Sequence, residues 1–493
     1  MIALLALLTT GPGALAQDAP LSASDWLSGS LRGPERESSA WRPGDVPPPP
    51  RRDQPRALPV AESGAVGPVM VSRLDLGDPD SSGSISARRA GLPPDLWAGS
   101  AAGDLAQGLL AVPARLQAMQ GLLRRMLSAQ LQPPVPDTRA TAAEAAPRGT
   151  LFLARVDRLL DMGALSEAQA LLLAAGPSDP EVFRRLFDIA LLEGDEHRAC
   201  RIMDGTPGVA PSFAARIFCL AQTGDWAAAA VSLRGAEALG LIDDREAVML
   251  THFLDDAFVD GDEMLEIPER ITPLEFRIHE AVGQPLPTAG LPLAFAQSDL
   301  RMNSGFKARL EAAERLARAG GLAPEQLRQI YGEQRPAASG GVWERAGVMR
   351  TLNAALQTGD LSQALPRAFD EFRAADMADL LAAMVAYELP ANYMGDERVA
   401  QIAALLRQWR GLPVPADLAL PVPPELVAPP VEAPETRRGE ALLVAMEDID
   451  AALEGDLARA GRGLAMLRAL GLNEDARRAE AQIVTLSQIL PQP

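Results

Sequence analysis

Apolar positions recur at near-helical spacing along most of the chain. Over residues 104–131 the series Leu105, Leu109, Leu110, Leu116, Met119, Leu122, Leu123, Met126, Leu127 and Leu131 predicts one amphipathic helix with a single buried face. Pro133, Pro134 and Pro136 end it, because proline lacks the amide that a helix interior requires. Residues 66–103 keep no sustained period and read as a small irregular segment, with Val69-Met70-Val71 a short strand and Gly91-Leu92-Pro93-Pro94 a turn. The helical period returns over 149–410, interrupted by prolines between 268 and 292. A Pro-rich linker over 411–438 and a C-terminal helical hairpin over 439–489 follow.

Within the helical region a short motif repeats. Gly163 is followed five positions later by Ala168, Gly194 by Ala199, Gly224 by Ala229, Gly359 by Ala364 and Gly455 by Ala460. The first three glycines are 31 and 30 residues apart. Each ends an apolar helical run, such as Ala190-Leu191-Leu192-Glu193-Gly194. A glycine there can take the left-handed conformation that stops a helix. Asp195, Asp225, Asp360 and Asp456 come directly after four of them, where a carboxylate can cap the next helix. The alanine lets that second helix lie close against the first. Such a hairpin cannot bury its apolar face alone, so neighbours must stack. The expected fold is all-α, a stack of αα-hairpins forming a solenoid.

The motif resembles the tetratricopeptide-type (TPR-like) helical repeat of bacterial envelope proteins, with its glycine at the tight turn and a small residue early in the second helix. The period here is about 30 residues instead of 34, and the Trp and Tyr of the family's first helix are missing. The resemblance implies stacked hairpins and a protein-binding groove, and it covers roughly a third of the chain.

The N-terminal region adds an address and a tether. Met1 to Leu8 is apolar and Ala14-Leu15-Ala16 follows, the pattern of a secretory signal peptide over 1–16. Residues 17–65, with Pro47 to Pro50 flanked by Arg51 and Arg52, read as a long disordered Pro-rich arm. One apolar island, Leu21 to Leu27, interrupts it. Its Trp26 and Leu27 are either a linear docking motif or incidental apolar content. Aromatic residues make up 4% of the chain, so the core is expected to be Ala and Leu, which suits helices. The net charge of −19 excludes a phosphate-neutralising nucleic-acid binder.

Candidate chemistry is sparse. Cys200 and Cys219 are the two cysteines, and in an exported chain they are expected to form one structural disulfide; two buried thiols are the alternative. His197, His252 and His279 are far apart in sequence and fit no metal-binding spacing. Asp78-Pro79-Asp80-Ser81-Ser82-Gly83 opens like a calcium loop, but Arg89 occupies the closing Glu position, which leaves an Asx-type turn. No phosphate loop or nucleophile elbow occurs, and no catalytic, metal or cofactor residue is assigned. The expectation is a non-enzymatic periplasmic scaffold or adaptor that binds another envelope or appendage protein. The alternative is a peptidoglycan-active envelope hydrolase with a helical-repeat superstructure.

Overall fold

The computed structural model describes residues 26–27, 77–134, 146–176, 179–206, 208–255 and 264–490. The signal peptide, the Val69 to Val71 strand, and the arm apart from Trp26 and Leu27 lie outside the described residues. Twenty-one α-helices are described, so the chain is all-α. The first five are α1 (Ala87–Ala90), α2 (Ala102–Ala111), α3 (Gln117–Ser128), α4 (Thr150–Asp161) and α5 (Leu165–Ala175). Six more follow: α6 (Pro180–Glu193), α7 (Glu196–Gly205), α8 (Phe213–Gln222), α9 (Trp226–Leu239), α10 (Asp244–Leu254) and α11 (Pro273–Ala281). Next come α12 (Ala296–Asp299), α13 (Phe306–Arg318), α14 (Pro324–Glu333), α15 (Gly341–Thr358), α16 (Ala364–Ala374), α17 (Ala378–Val385) and α18 (Glu397–Trp409). The last three are α19 (Arg438–Asp450), α20 (Leu457–Ala469) and α21 (Asn473–Ile489). The irregular stretch before α2 also contributes a two-residue strand, Ile85–Ser86, paired parallel with Ala129–Gln130 in the register Ile85 to Ala129.

The interval 104–131 holds two helices instead of one. Pro113 lies two residues past the end of α2, and Ala114 adopts φ +47, so the helical hydrogen-bond ladder cannot continue. The restarted helix, α3, has no side-chain cap of its own. Its amides are met from the far end of the chain. Asp450 accepts from Arg115 N at 2.6 Å and Leu116 N at 3.1 Å, and Gln482 Oε1 accepts from Ala118 N at 2.9 Å. Gln117 accepts from Trp409 Nε1 and donates to Asp379, and Arg125 donates to Asp475. Thus α3 is an axle on which α17, α18, α19 and α21 converge, and it joins the first helices to the last. The Pro-rich 411–438 stretch packs on this body. Leu426 is buried, and a side chain at Gly461 would put its Cβ 2.6 Å from Leu426 O.

The start of α4 is built in the same way. Gly149 caps it without a side chain, and Asp80 supplies the missing acceptor for Phe152 N at 2.7 Å and Gly149 N at 3.3 Å. Asp78 accepts from Asp80 N at 3.0 Å, an Asx turn. The acidic Asp78 to Gly83 loop is therefore used as a helix cap. Beneath it, fully buried Arg155 donates to the carbonyls of Asp80, Ser82, Leu127 and Ala129.

All five repeat glycines lie in the left-handed region, at φ +71 (Gly163), +80 (Gly194), +93 (Gly224), +80 (Gly359) and +86 (Gly455). The five partner alanines, Ala168, Ala199, Ala229, Ala364 and Ala460, are buried. Gly163 is needed for space as well, since a Cβ there would lie 2.5 Å from Leu316 Cδ2. The aspartates behave unequally. Asp225 and Asp456 cap the following helices through Ala228 N and Arg459 N. Asp195 makes no cap bond, and Asp360 turns onto Ser362 ahead of α16.

Two apolar cores result. The large one runs through α1–α5 and α12–α21. The small one belongs to an arm made of α6–α11, in which α11 returns to pack on α6. Helix α6 is the shared wall: Val182, Leu186, Ile189 and Leu192 face the large core, and Phe183, Phe187, Ala190 and Leu191 face the small one. Every residue from Val182 to Leu192 is buried, and the two arginines among them, Arg184 and Arg185, are paired with Glu181 and Asp157.

Candidate protein-binding surface

The arm is stapled internally. Cys200 on α7 and Cys219 on α8 form a disulfide, with Cα atoms 5.1 Å apart, and both are buried in the small core. The Asp204-Gly205-Thr206-Pro207-Gly208 joint brings two consecutive antiparallel helices within reach. Their positions along the two helices match closely enough for the bond to close.

Beyond this staple the arm carries a face that no described residue covers. Helix α9 rests on its neighbours through a narrow stripe, Ala229, Leu233 and Ala236. The exposed side, at helical spacing, presents Trp226, Ala227, Ala230, Val231 and Ala238, with Arg234 and Glu237 as its two charges. Trp226 is 49% exposed and Val231 73% exposed. Trp226 packs at 6.0 Å on Phe253, which stacks at 5.2 Å on buried Phe218, so the exposed ring is held by a ladder reaching into the core. Val248 on α10, together with Met264 and Ile267, adds further exposed apolar surface. Exposed apolar side chains grouped on one surface mark an interaction site.

Next to this face lies a cleft of about 320 Å³ lined by Val248, Met249, Leu265, Pro268, Glu275 and His279. Glu275 is held by Arg245 and by Thr272. The Nδ1 of buried His279 has no hydrogen-bond partner among the described residues, and burial holds its pKa below the usual histidine value. His197 is exposed on α7 and His252 is buried on α10. Among the described residues no three His, Cys, Asp or Glu side chains cluster as metal ligands do.

A larger groove, about 580 Å³, runs between α2 and α19. Asp104, Glu440, Glu447, Asp450 and Glu454 line it, with Arg115 and Arg459. Burial raises the pKa of Asp450, but both of its oxygens are engaged by the backbone amides at the start of α3. Asp379 is pushed up to about 6, chiefly by burial, and it too sits at a helix start, accepting from Gln117. These perturbed carboxyls serve helix ends.

Trp26 and Leu27 are not on the surface. Both are buried in the large core, far from α9, and Trp26 stands edge-on to Phe295 with ring centroids 5.5 Å apart. Sequence spacing gave no sign of the α9 face as a site. The usable signal was the Ala-rich run after Trp226, whose exposed side carries only Arg234 and Glu237 as charges among apolar residues. No family model, no curated protein and no solved structure matches the chain. Among the described residues, no helix is long and apolar enough to cross a membrane.

Proposed function

We propose that the protein is a non-enzymatic scaffold or adaptor of the cell envelope, exported to the periplasm, that binds another envelope or appendage protein through the outward face of α9. The observation that carries this reading is that face itself: an exposed helix side made mostly of apolar residues, on a cross-linked arm, with Trp226 half exposed. A disulfide stiffens the helices directly behind it, and pre-organisation of this kind lowers the entropic cost of binding. The export reading draws support from the apolar N-terminus and from the disulfide, which suits an oxidising compartment. We further infer a TPR-like solenoid character for α4–α9, supported by three successive hairpins with the same glycine and alanine spacing.

The test is in-cell cross-linking with affinity capture, comparing the native chain with Trp226→Asp combined with Val231→Asp. The reading expects a partner protein that is captured by the native chain and lost in the variant, while the circular dichroism and melting of the two chains agree. Equal capture by both chains, or no partner for either, would overturn it.

A further inference from the structure

We propose that Trp26-Leu27 is a tethered peptide ligand, and that the aromatic seat beneath it is a recognition site for a Trp-Leu segment able to bind in trans as well as in cis. The site is separate from the α9 face. Trp26 is 2% exposed and Leu27 5%. Trp26 meets Phe295 at 5.5 Å and 69°, and Phe295 meets Phe276 at 5.3 Å and 78°. Both contacts are edge-to-face, the arrangement that the ring quadrupoles favour.

The seat is built by elements that hold themselves in place without Trp26. Phe276 lies on α11, the helix that closes the arm. Phe295 precedes α12, whose Gln297 donates to Gly163 O at 2.6 Å and whose Ser298 donates to Leu192 O at 2.8 Å. These bonds satisfy carbonyls at the ends of α4 and α6. Arg301 clamps Glu280 of α11 at 2.7 Å, and Arg277 reaches Glu196 of α7 at 2.8 Å. The seat is thus pinned by polar contacts on several sides, and removing an indole would leave it standing.

The ligand, in contrast, is remote in the chain. Forty-nine residues, from 28 to 76, separate Leu27 from Gly77, a contour of up to about 170 Å. A segment so far from its seat binds as a second molecule would, favoured mainly by the effective concentration that covalent linkage supplies. An apolar Trp-Leu segment of another protein would therefore compete for the same seat. Its occupancy would bear on the junction between arm and body, because Phe276 and Phe295 stand there.

The test uses the full chain. A fluorescein-labelled peptide of residues 21–28 (Leu-Ser-Ala-Ser-Asp-Trp-Leu-Ser) is titrated against native protein and against Trp26→Ala, with polarisation as the readout. The proposal expects saturable binding to Trp26→Ala, at least tenfold weaker binding to native protein, and loss when the peptide's Trp is replaced by Ala. Equal binding to both chains, or none to a Trp26→Ala chain that melts like native, would overturn it. Should Trp26→Ala fail to fold, a protease site placed between residues 45 and 60 of the native chain decides the matter. After cleavage of folded protein, the Trp26 fragment should co-elute with the body and be displaced by excess peptide. A fragment that separates at once, or that excess peptide does not displace, would contradict the proposal.

Discussion

The body and the arm solve the same packing problem in opposite ways. In the body, polar side chains link segments distant in sequence: Asp450 and Gln482 cap α3, Asp80 caps α4, and Arg155 binds four carbonyls from two segments, 80–82 and 127–129. In the arm, most contacts run between successive helices, α11 closes back on α6, and one covalent bond links two neighbours. The body therefore closes on itself around α3. The arm stays more local, and no described residue covers the outward side of α9. A region that does not depend on distant parts for its fold can present apolar surface to another molecule without disturbing the remainder.

The sharpest way to break this contrast is Arg155→Leu. It deprives four buried carbonyls of their donor, and leaving buried polar groups unsatisfied is costly. A loss of about 3–5 kcal/mol is expected from chemical denaturation followed by circular dichroism. Hydrogen exchange should show the loss in 79–161 first, with 213–254 holding its protection. Equal loss in both regions would mean that the arm has no core of its own.

Next in size is the disulfide. Replacing Cys200 and Cys219 with Ser together should cost the arm about 3 kcal/mol, the chain-entropy value for a closed loop of roughly 20 residues. Limited proteolysis should then cut within 196–255 at low protease, while the body fragment persists. Unchanged resistance of the arm would show that its core alone suffices.

A third experiment reads the body through pH. The pKa of Asp379 is about 6 in the fold against 3.8 when unfolded. The neutral form is thus favoured by folding. Its contribution is fully present below pH 3.8 and is lost as pH rises through about 6. Asp379→Asn should therefore stabilise the chain at pH 7.5 by about 1–3 kcal/mol and leave it nearly unchanged at pH 4. A difference of the same size at both pH values would contradict the burial argument.

The smallest effect belongs to α9. Trp226→Ser should change stability by less than about 1 kcal/mol, because half of the ring is already in water. A larger drop in melting temperature would mean that the ring is a structural post of the arm and not a contact.

The hairpin turns were legible in the sequence because their physics is local: a left-handed glycine and a small residue five positions on need no distant partner. The same locality made the cysteine pair readable. The break at Pro113 was also within reach, since a proline in an apolar run argues against a continuous helix. The α3 axle was not. Asp450 and Gln482 look like any polar residues on a helical surface until the fold brings them to amides more than 300 positions away. The wall helix α6 was not legible either: its run from Val182 to Leu192 contains Arg184, Arg185 and Asp188, and the arginines are buried only because Glu181 and Asp157 pair with them. Nothing near Trp26 in the chain indicates Phe295 as its neighbour, so its two readings could not be separated from sequence.

The division into two cores is tested most directly by hydrogen exchange of the native chain with and without reductant. The account predicts faster exchange on reduction across 196–255, with 84–161 and 438–489 unchanged. Acceleration spread evenly over the described helices, or none within the arm, would contradict it.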